Sequence, residues 1–259
     1  MKRQTADTLR RVAYPTVGIV LMLALWEAIC VIGKLPTAVL PTPGQVFGSL
    51  VNNWAVLMSE GWITLKATLY GFALALLLGI PLAVAVSTFR WVNLMFYPLL
   101  VALQSVPKVA LAPLLLVWLG TGMESKLAIA WLVAFFPVLV DTAAGLQATP
   151  KELLELARSL RASRWQVFAK VRFPAALPFV VTGAKVAVTL AVIGAVIGEF
   201  VGSSEGLGFL LLSATSQINT PLAFAALFAL SILGMVTYFF VVLAEKAIAS
   251  WLPPPPPAH

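Results

Sequence analysis

The segment GLGFLLLSATSQINTPLAFAALFALSILGMVTYFFVVLA, residues 206–244, contains no charged side chain. A helix needs about 20 apolar residues to cross the hydrocarbon core of a bilayer, so this stretch is longer than one span. Pro221 divides it, because proline suits a first helical turn and interrupts what precedes it. The reading is a loop or half-inserted segment up to Thr220, then a span over 222–244. Working outward, the same test finds five more apolar runs, at 14–33, 66–88, 92–119, 126–145 and 178–201. The middle of 92–119, Gln104-Ser105-Val106-Pro107-Lys108, is polar. Pro107 removes a backbone hydrogen bond, so the helix is expected to kink or break there. The expected fold class is all-α: a polytopic transmembrane helical bundle of about six spans, forming a single domain over residues 1–259.

Composition agrees. The chain is 61% hydrophobic and 10% charged, with mean hydropathy +0.98. Soluble domains carry about 25% charged residues, so too few charges exist to cover a soluble surface, and the apolar content is too high for disorder. In a soluble protein the net charge of +7 would raise nucleic acid as a partner. Here it reads as topology, since lysine and arginine accumulate on cytoplasmic loops, and no nucleic acid is expected. With the N-terminus inside, the cytoplasmic pieces hold Lys2, Arg3, Arg10, Arg11, Arg90, six basic residues of 149–172 and Lys246; the outer side holds Lys34, Lys66 and Lys126. Both termini are thus expected on the cytoplasmic side of the membrane. A cleaved signal peptide is the rival reading of the first run. That run is long for such a segment, no small-x-small site ends it, and Trp26-Glu27 interrupts it, so an uncleaved span is expected. Pro253–Pro257 reads as an extended polyproline stub.

Chemistry within the chain is sparse. Cys30 is the single cysteine and His259 the single histidine, so no disulfide, metal site or catalytic pair is expected. No phosphate-cradling G-x-x-x-x-G-K-[ST] occurs; Gly33-Lys34 is followed by Leu35-Pro36. If ATP powers this protein, another chain binds it. Polar groups in lipid are costly and mark function by default, which makes Gln104, Ser105, Lys108 and Glu199 candidates for a translocation path. Capping for Gln104 and Ser105, snorkelling for Lys108, and pairing or an interface position for Glu199 stay open. Asp141 and Lys185 are expected to anchor at the interface or to pair. Gly194-x3-Gly198 is a small-xxx-small pattern, a weak pointer to a dimer seam.

One long amphipathic stretch stands apart, the expected loop 149–174. Leu153, Ala157 and Leu160 fall at helical spacing, as do Trp165, Phe168 and Val171 after a break. Its order is Glu155-Leu156-Ala157, three residues, Arg161, nine residues, then Val171-Arg172-Phe173-Pro174. This resembles the EAA signature, E-A-A-x3-G-x9-I-x-L-P, of permease subunits of type I binding-protein-dependent ABC importers. The surrounding ELARSLRASRWQVFAKVRFPAALP, with SVPKVALAPLLLVWLGTG upstream and GEFVGSSEGLGFLL downstream, is similar to the nitrate/sulfonate/taurine group of that family. The resemblance covers roughly residues 60–250. Leu156, Val171 and Phe173 depart from the pattern but stay apolar. Arg161 replaces a glycine that usually supplies a left-handed turn, so the arginine must either turn helical or strain that turn.

The resemblance implies a non-catalytic pathway subunit. Its partners would be two ATP-binding cassette ATPase subunits, which bind ATP and Mg, an extracytoplasmic solute-binding protein, and a second permease copy, a homodimer being favoured. The loop would insert into a groove of the ATPase. Glu155, Ala157, Leu160, Arg161 and Pro174 would be its coupling residues, and Leu153, Leu154, Ala157 and Leu160 its burying face. The solute would be a small anion such as a sulfonate, taurine or nitrate; the alternative is a pyrimidine or riboflavin precursor. A stand-alone secondary transporter or channel predicts two halves with matching broken helices, and no internal repeat is evident. A membrane-embedded enzyme or structural anchor is the other rival, but an enzyme needs a cluster of His, Asp, Glu or Ser, and none is found.

Overall fold

The computed structural model describes residues 2–248. The Pro253–Pro257 tail and His259 lie outside the described residues, as do the side chains of Lys2, Arg3, Arg10 and Arg11. The chain is built from helices, in order α1 (Lys2–Ile32), α2 (Pro43–Asn52), α3 (Trp54–Thr88), α4 (Arg90–Gln104), a 3-10 turn (Lys108–Leu111), α5 (Ala112–Leu119), α6 (Met123–Gln147), α7 (Lys151–Ser159), α8 (Arg164–Val167), a π-turn (Phe168–Arg172), α9 (Phe173–Gly202), α10 (Leu207–Ser216) and α11 (Thr220–Ile248). Apolar runs take this form because a helix satisfies its own backbone polar groups where no water can.

Among the described residues, five helices are long and apolar enough to cross a membrane, or up to six if the bent pair is one span. That pair, Arg90–Gln104 with Lys108–Leu119, turns by 89° at the expected break. Pro107 sits at the corner with extended ψ of 96°, as its missing N–H allows. Helix α3 begins at Trp54, ahead of the expected start at Lys66. Lys66, counted among the residues near outer helix ends, therefore lies ~18 Å inside the helix. Within the chargeless C-terminal segment, α10 fills the stretch expected as a loop or half-inserted piece, and Pro221 is in the first turn of α11.

The core is the packing of α3, α6 and α9, and small residues set its spacing. Ala130 of α6 is fully buried between Gly71 of α3 and Gly194 of α9. A Cβ at Gly71 would lie 2.5 Å from the Ala130 Cβ, and one at Gly194 would lie 2.7 Å from the Ala130 Cα. Gly198 faces the Lys126 Cα at a would-be 3.0 Å. The Gly194-x3-Gly198 pattern is thus an intrachain α6–α9 seam, which corrects the dimer-seam reading. Close backbone approach replaces the hydrophobic effect as the packing force where the solvent is itself apolar. Outside this core α11 packs on α9, α10 and α2. Helix α1 is mostly exposed; near its end Trp26 stacks on Phe228 (ring centroids 6.3 Å apart) and donates Nε1–H to the Pro41 carbonyl at 3.0 Å.

Candidate functional site

The 149–174 stretch folds as two short helices joined by a tight turn. Helix α7 ends in a Schellman arrangement: Ala162 N–H donates to the Ala157 carbonyl at 3.0 Å and Arg161 N–H to the Arg158 carbonyl at 2.9 Å. Arg161 occupies the left-handed position, with φ +53°. Of the two open alternatives for this residue, the strained left-handed turn is the one observed, so the turn keeps its geometry without glycine. Ser163 then starts α8 with a capping box: Gln166 N–H donates to Ser163 Oγ at 3.2 Å and Ser163 N–H to Gln166 Oε1 at 2.8 Å.

The face expected to bury in a partner's groove is mostly open in the single chain. Ala157 is buried, but Leu153 (44% exposed), Leu156 (56%) and Leu160 (73%) form an outward ridge, with Trp165 (72%) beyond the turn. Positions 153, 156 and 160 share one face of α7, and the inward contact is made by Ala157 and the half-buried Leu154. Trp165 and Phe168 pack at 5.6 Å and Phe168 and Phe173 at 5.8 Å, which ties α8 to the base of α9. Pro174 sits in the first turn of α9. Glu155 is exposed, and among the described residues no ion pair engages it; the local pair with Arg158 is not formed. The loop thus presents apolar ridge, carboxylate and guanidinium groups outward, the mixture that fixes a protein contact in place and orientation.

The path candidates separate into two places. Gln104 and Ser105 are exposed at the corner of the bent pair. Lys108 donates Nζ–H to the Gln104 carbonyl at 3.3 Å and lies 4.6 Å from the centre of the Phe136 ring, so it caps the broken α4 and sits on an aromatic face. Glu199 is elsewhere. It is 1% exposed and accepts from Thr64 Oγ1 at 2.8 Å and from Gly208 N–H at 2.7 Å. Through these bonds it anchors the 203–208 loop. Lys126 and Phe136, neighbours of the two places, are separated by ~15 Å along α6.

Sequence reasoning missed the rest of the Glu199 cluster. Thr64 Oγ1 accepts Leu207 N–H at 2.9 Å and Glu60 Oε2 accepts Gly206 N–H at 2.5 Å. The first three donors of the α10 region thereby find side-chain acceptors from α3 and α9, which meets the usual deficit of a helix N-terminus. Lys126, expected at an outer helix end, is fully buried and bonds the Glu205 carbonyl at 3.2 Å and Glu205 Oε1 at 3.3 Å. Gly206 has φ +107°, and a Cβ there would strike the Glu199 carboxyl group. The only local signal was the GSSEGLG turn; Glu60 and Thr64 are over a hundred residues away. Of the remaining intramembrane charges, Lys185 pairs with Glu245 at 2.6 Å, as one of the expected alternatives had it.

These features define an integral membrane bundle whose basic helix-turn-helix loop faces out of the bilayer. The chain belongs to the family described as "Binding-protein-dependent transport system inner membrane component", whose model matches residues 75–250. It is 38% identical to a Haemophilus influenzae protein named "Probable ABC transporter permease protein", over 87% of this chain and 91% of that one. It is 36% identical to the riboflavin transport system permease protein RibX of Chloroflexus aurantiacus (94% and 93% covered) and 34% identical to the formylaminopyrimidine transport permease protein ThiX of Halalkalibacterium halodurans (92% and 95%). Permeases named for aliphatic sulfonates, taurine and nitrate match at 32%, 27% and 24% identity. The fold matches an inward-facing structure of the MetNI methionine ABC transporter with TM-score 0.66 at 23% identity, over 75% of this chain and 97% of that one. The chain is therefore a non-catalytic ABC importer permease subunit, a membership that implies an ATPase and a binding protein as partners.

Proposed function

We propose that this chain lines the translocation pathway of an ATP-driven importer and receives force from a separate ATPase through the 149–174 loop. The observation that supports this most is the loop itself: EAA-like spacing, a turn held by a Schellman motif and a capping box, and an outward ridge of Leu153, Leu156, Leu160 and Trp165 with Glu155 unpaired. The second helix of the loop, α8, runs on into α9 as one helical column, Arg164–Gly202, of 39 residues, so a push passed from α7 across the Arg161 turn moves the helix at the centre of the bundle. Glu155, Ala157, Leu160, Arg161 and Pro174 are the coupling residues in this reading. Two ATPase subunits, an external solute-binding protein and a second copy of the chain complete the assembly; ATP and Mg bind to the ATPase and this chain holds no cofactor. Both termini lie on the cytoplasmic side, the orientation that puts the densest basic loop inside.

The solute is small. An anion such as a sulfonate, taurine or nitrate is the first reading. The second, a riboflavin or pyrimidine precursor, is favoured by the names carried by the 36% and 34% identical relatives. Proteoliposomes holding the permease, its ATPase and its binding protein test the importer role, with labelled taurine and riboflavin as probes. ATP-dependent uptake that survives collapse of ion gradients is expected. Uptake without any ATPase would overturn the proposal.

A further inference from the structure

The corner of the broken span opens onto a cavity of about 150 Å³ between α3, α4 and α6. Two side chains in its wall are polar, Gln104 at the end of α4 and Gln147 at the end of α6; the remainder is aliphatic, from Val86, Leu100, Leu139 and Ala143 among others. No charged residue lines it. The nearest candidate cation, Lys108, is occupied by the Gln104 carbonyl and the Phe136 ring. Both carboxamides belong to exposed residues, and among the described residues neither has a hydrogen-bond partner in the protein.

Each of these facts bears on what the cavity can hold. Moving an anion into an apolar wall without a counter-charge is costly, which speaks against a sulfonate or nitrate. A carboxamide carries two donors and an acceptor on one planar edge. That edge matches the donor–acceptor edge of an amide or aminopyrimidine, the pairing by which asparagine and glutamine read adenine. Size limits the ligand further: a cavity of about 150 Å³ accommodates a single six-membered ring such as benzene, so a tricyclic isoalloxazine exceeds it. We propose that the Gln104–Gln147 cavity is a solute subsite for a neutral, single-ring heterocycle with an amide- or amidine-like edge, of the aminopyrimidine class. The aliphatic wall takes the ring faces and the two carboxamides take its polar edge. This inference rests on the importer reading and narrows its substrate.

The test uses the reconstituted complex of permease, ATPase and binding protein, given labelled formylaminopyrimidine, riboflavin, taurine, methanesulfonate and nitrate in turn. ATP-dependent uptake of the pyrimidine is expected. Gln104→Leu and Gln147→Leu should each raise its KM at least tenfold, and Gln147→Asn, which keeps the carboxamide, should restore part of the loss. Gln104→Lys, which keeps a polar corner but adds a cation, should also lose pyrimidine uptake. Co-purification of the ATPase identifies assembled variants. Uptake of an anion and not of the pyrimidine, or unchanged KM in both leucine variants, overturns this assignment and leaves the importer reading standing. A wild-type permease that fails to hold its ATPase overturns the reading on which the assignment rests.

Discussion

Replacing Glu199 by alanine should release the 203–208 loop from the bundle. In the native structure its carboxyl group accepts Gly208 N–H at 2.7 Å and Thr64 O–H at 2.8 Å, all within a buried site. Alanine leaves Gly208 N–H without an acceptor, whereas Thr64 O–H keeps the Glu60 carbonyl at 3.3 Å, and a buried donor left unsatisfied costs about 1–3 kcal/mol. The loss of that one bond gives roughly 1–3 kcal/mol against the closed loop. At 1.36 kcal/mol per tenfold, the lower bound corresponds to an opening equilibrium raised about 5-fold. Glu199→Gln keeps one carbonyl oxygen and turns an N–H₂ toward the other donor, so roughly half the effect is expected. Hydrogen exchange read by mass spectrometry over 203–212, on protein in lipid nanodiscs, measures local opening directly. The expected order of exchange is Glu199→Ala fastest, Glu199→Gln intermediate, native slowest. Exchange in Glu199→Ala within threefold of native would refute the anchoring role.

Arg161→Gly should keep the turn, because the position is already left-handed. Relief of about 1–2 kcal/mol of left-handed strain, less about 0.4–1 kcal/mol for the freer unfolded chain, leaves a stabilisation between zero and about 1.6 kcal/mol. Unchanged co-purification of the ATPase checks it, and loss of docking would show that the arginine itself makes the contact. Glu155→Arg should leave the protein inserted but uncouple ATP hydrolysis from uptake, measured side by side in proteoliposomes; unchanged uptake would argue against the lever. Gly194→Val should break the α6–α9 seam, since its Cβ would sit 2.7 Å from the Ala130 Cα. Overpacking costs about 1–3 kcal/mol or more, and the fraction of monodisperse permease on size exclusion should fall.

The elements of the fold were legible because each depends on a local property. Runs of apolar residues of the right length became α6, α9 and α11 near their expected ends, and Pro107 marked the break that the structure bends by 89°. The coupling loop was legible for a similar reason: its spacing, its alternation of apolar and charged residues and its helix stop lie within one short segment. Where the reading went astray, the missing information was non-local. Lys126 looked like an outer anchor from its place near a span's end; its burial follows from Glu205 lying opposite, 79 residues away. For Glu199 a path, a pair and an interface position all stayed open, because a carboxyl group in lipid needs a partner and only the arrival of α3 supplies Thr64 as one.

Hydrophobic length, charge and turn chemistry act along the chain, and they are enough to specify a membrane bundle, its orientation signal, the broken span and the loop's order of residues. The tertiary structure alone decided which glycines pack against which helix, which polar residues are tied up in anchors, and which are left facing a cavity. Those outcomes depend on helices brought together from distant parts of the chain, where a group's role is set by the partner it meets and not by its neighbours in sequence.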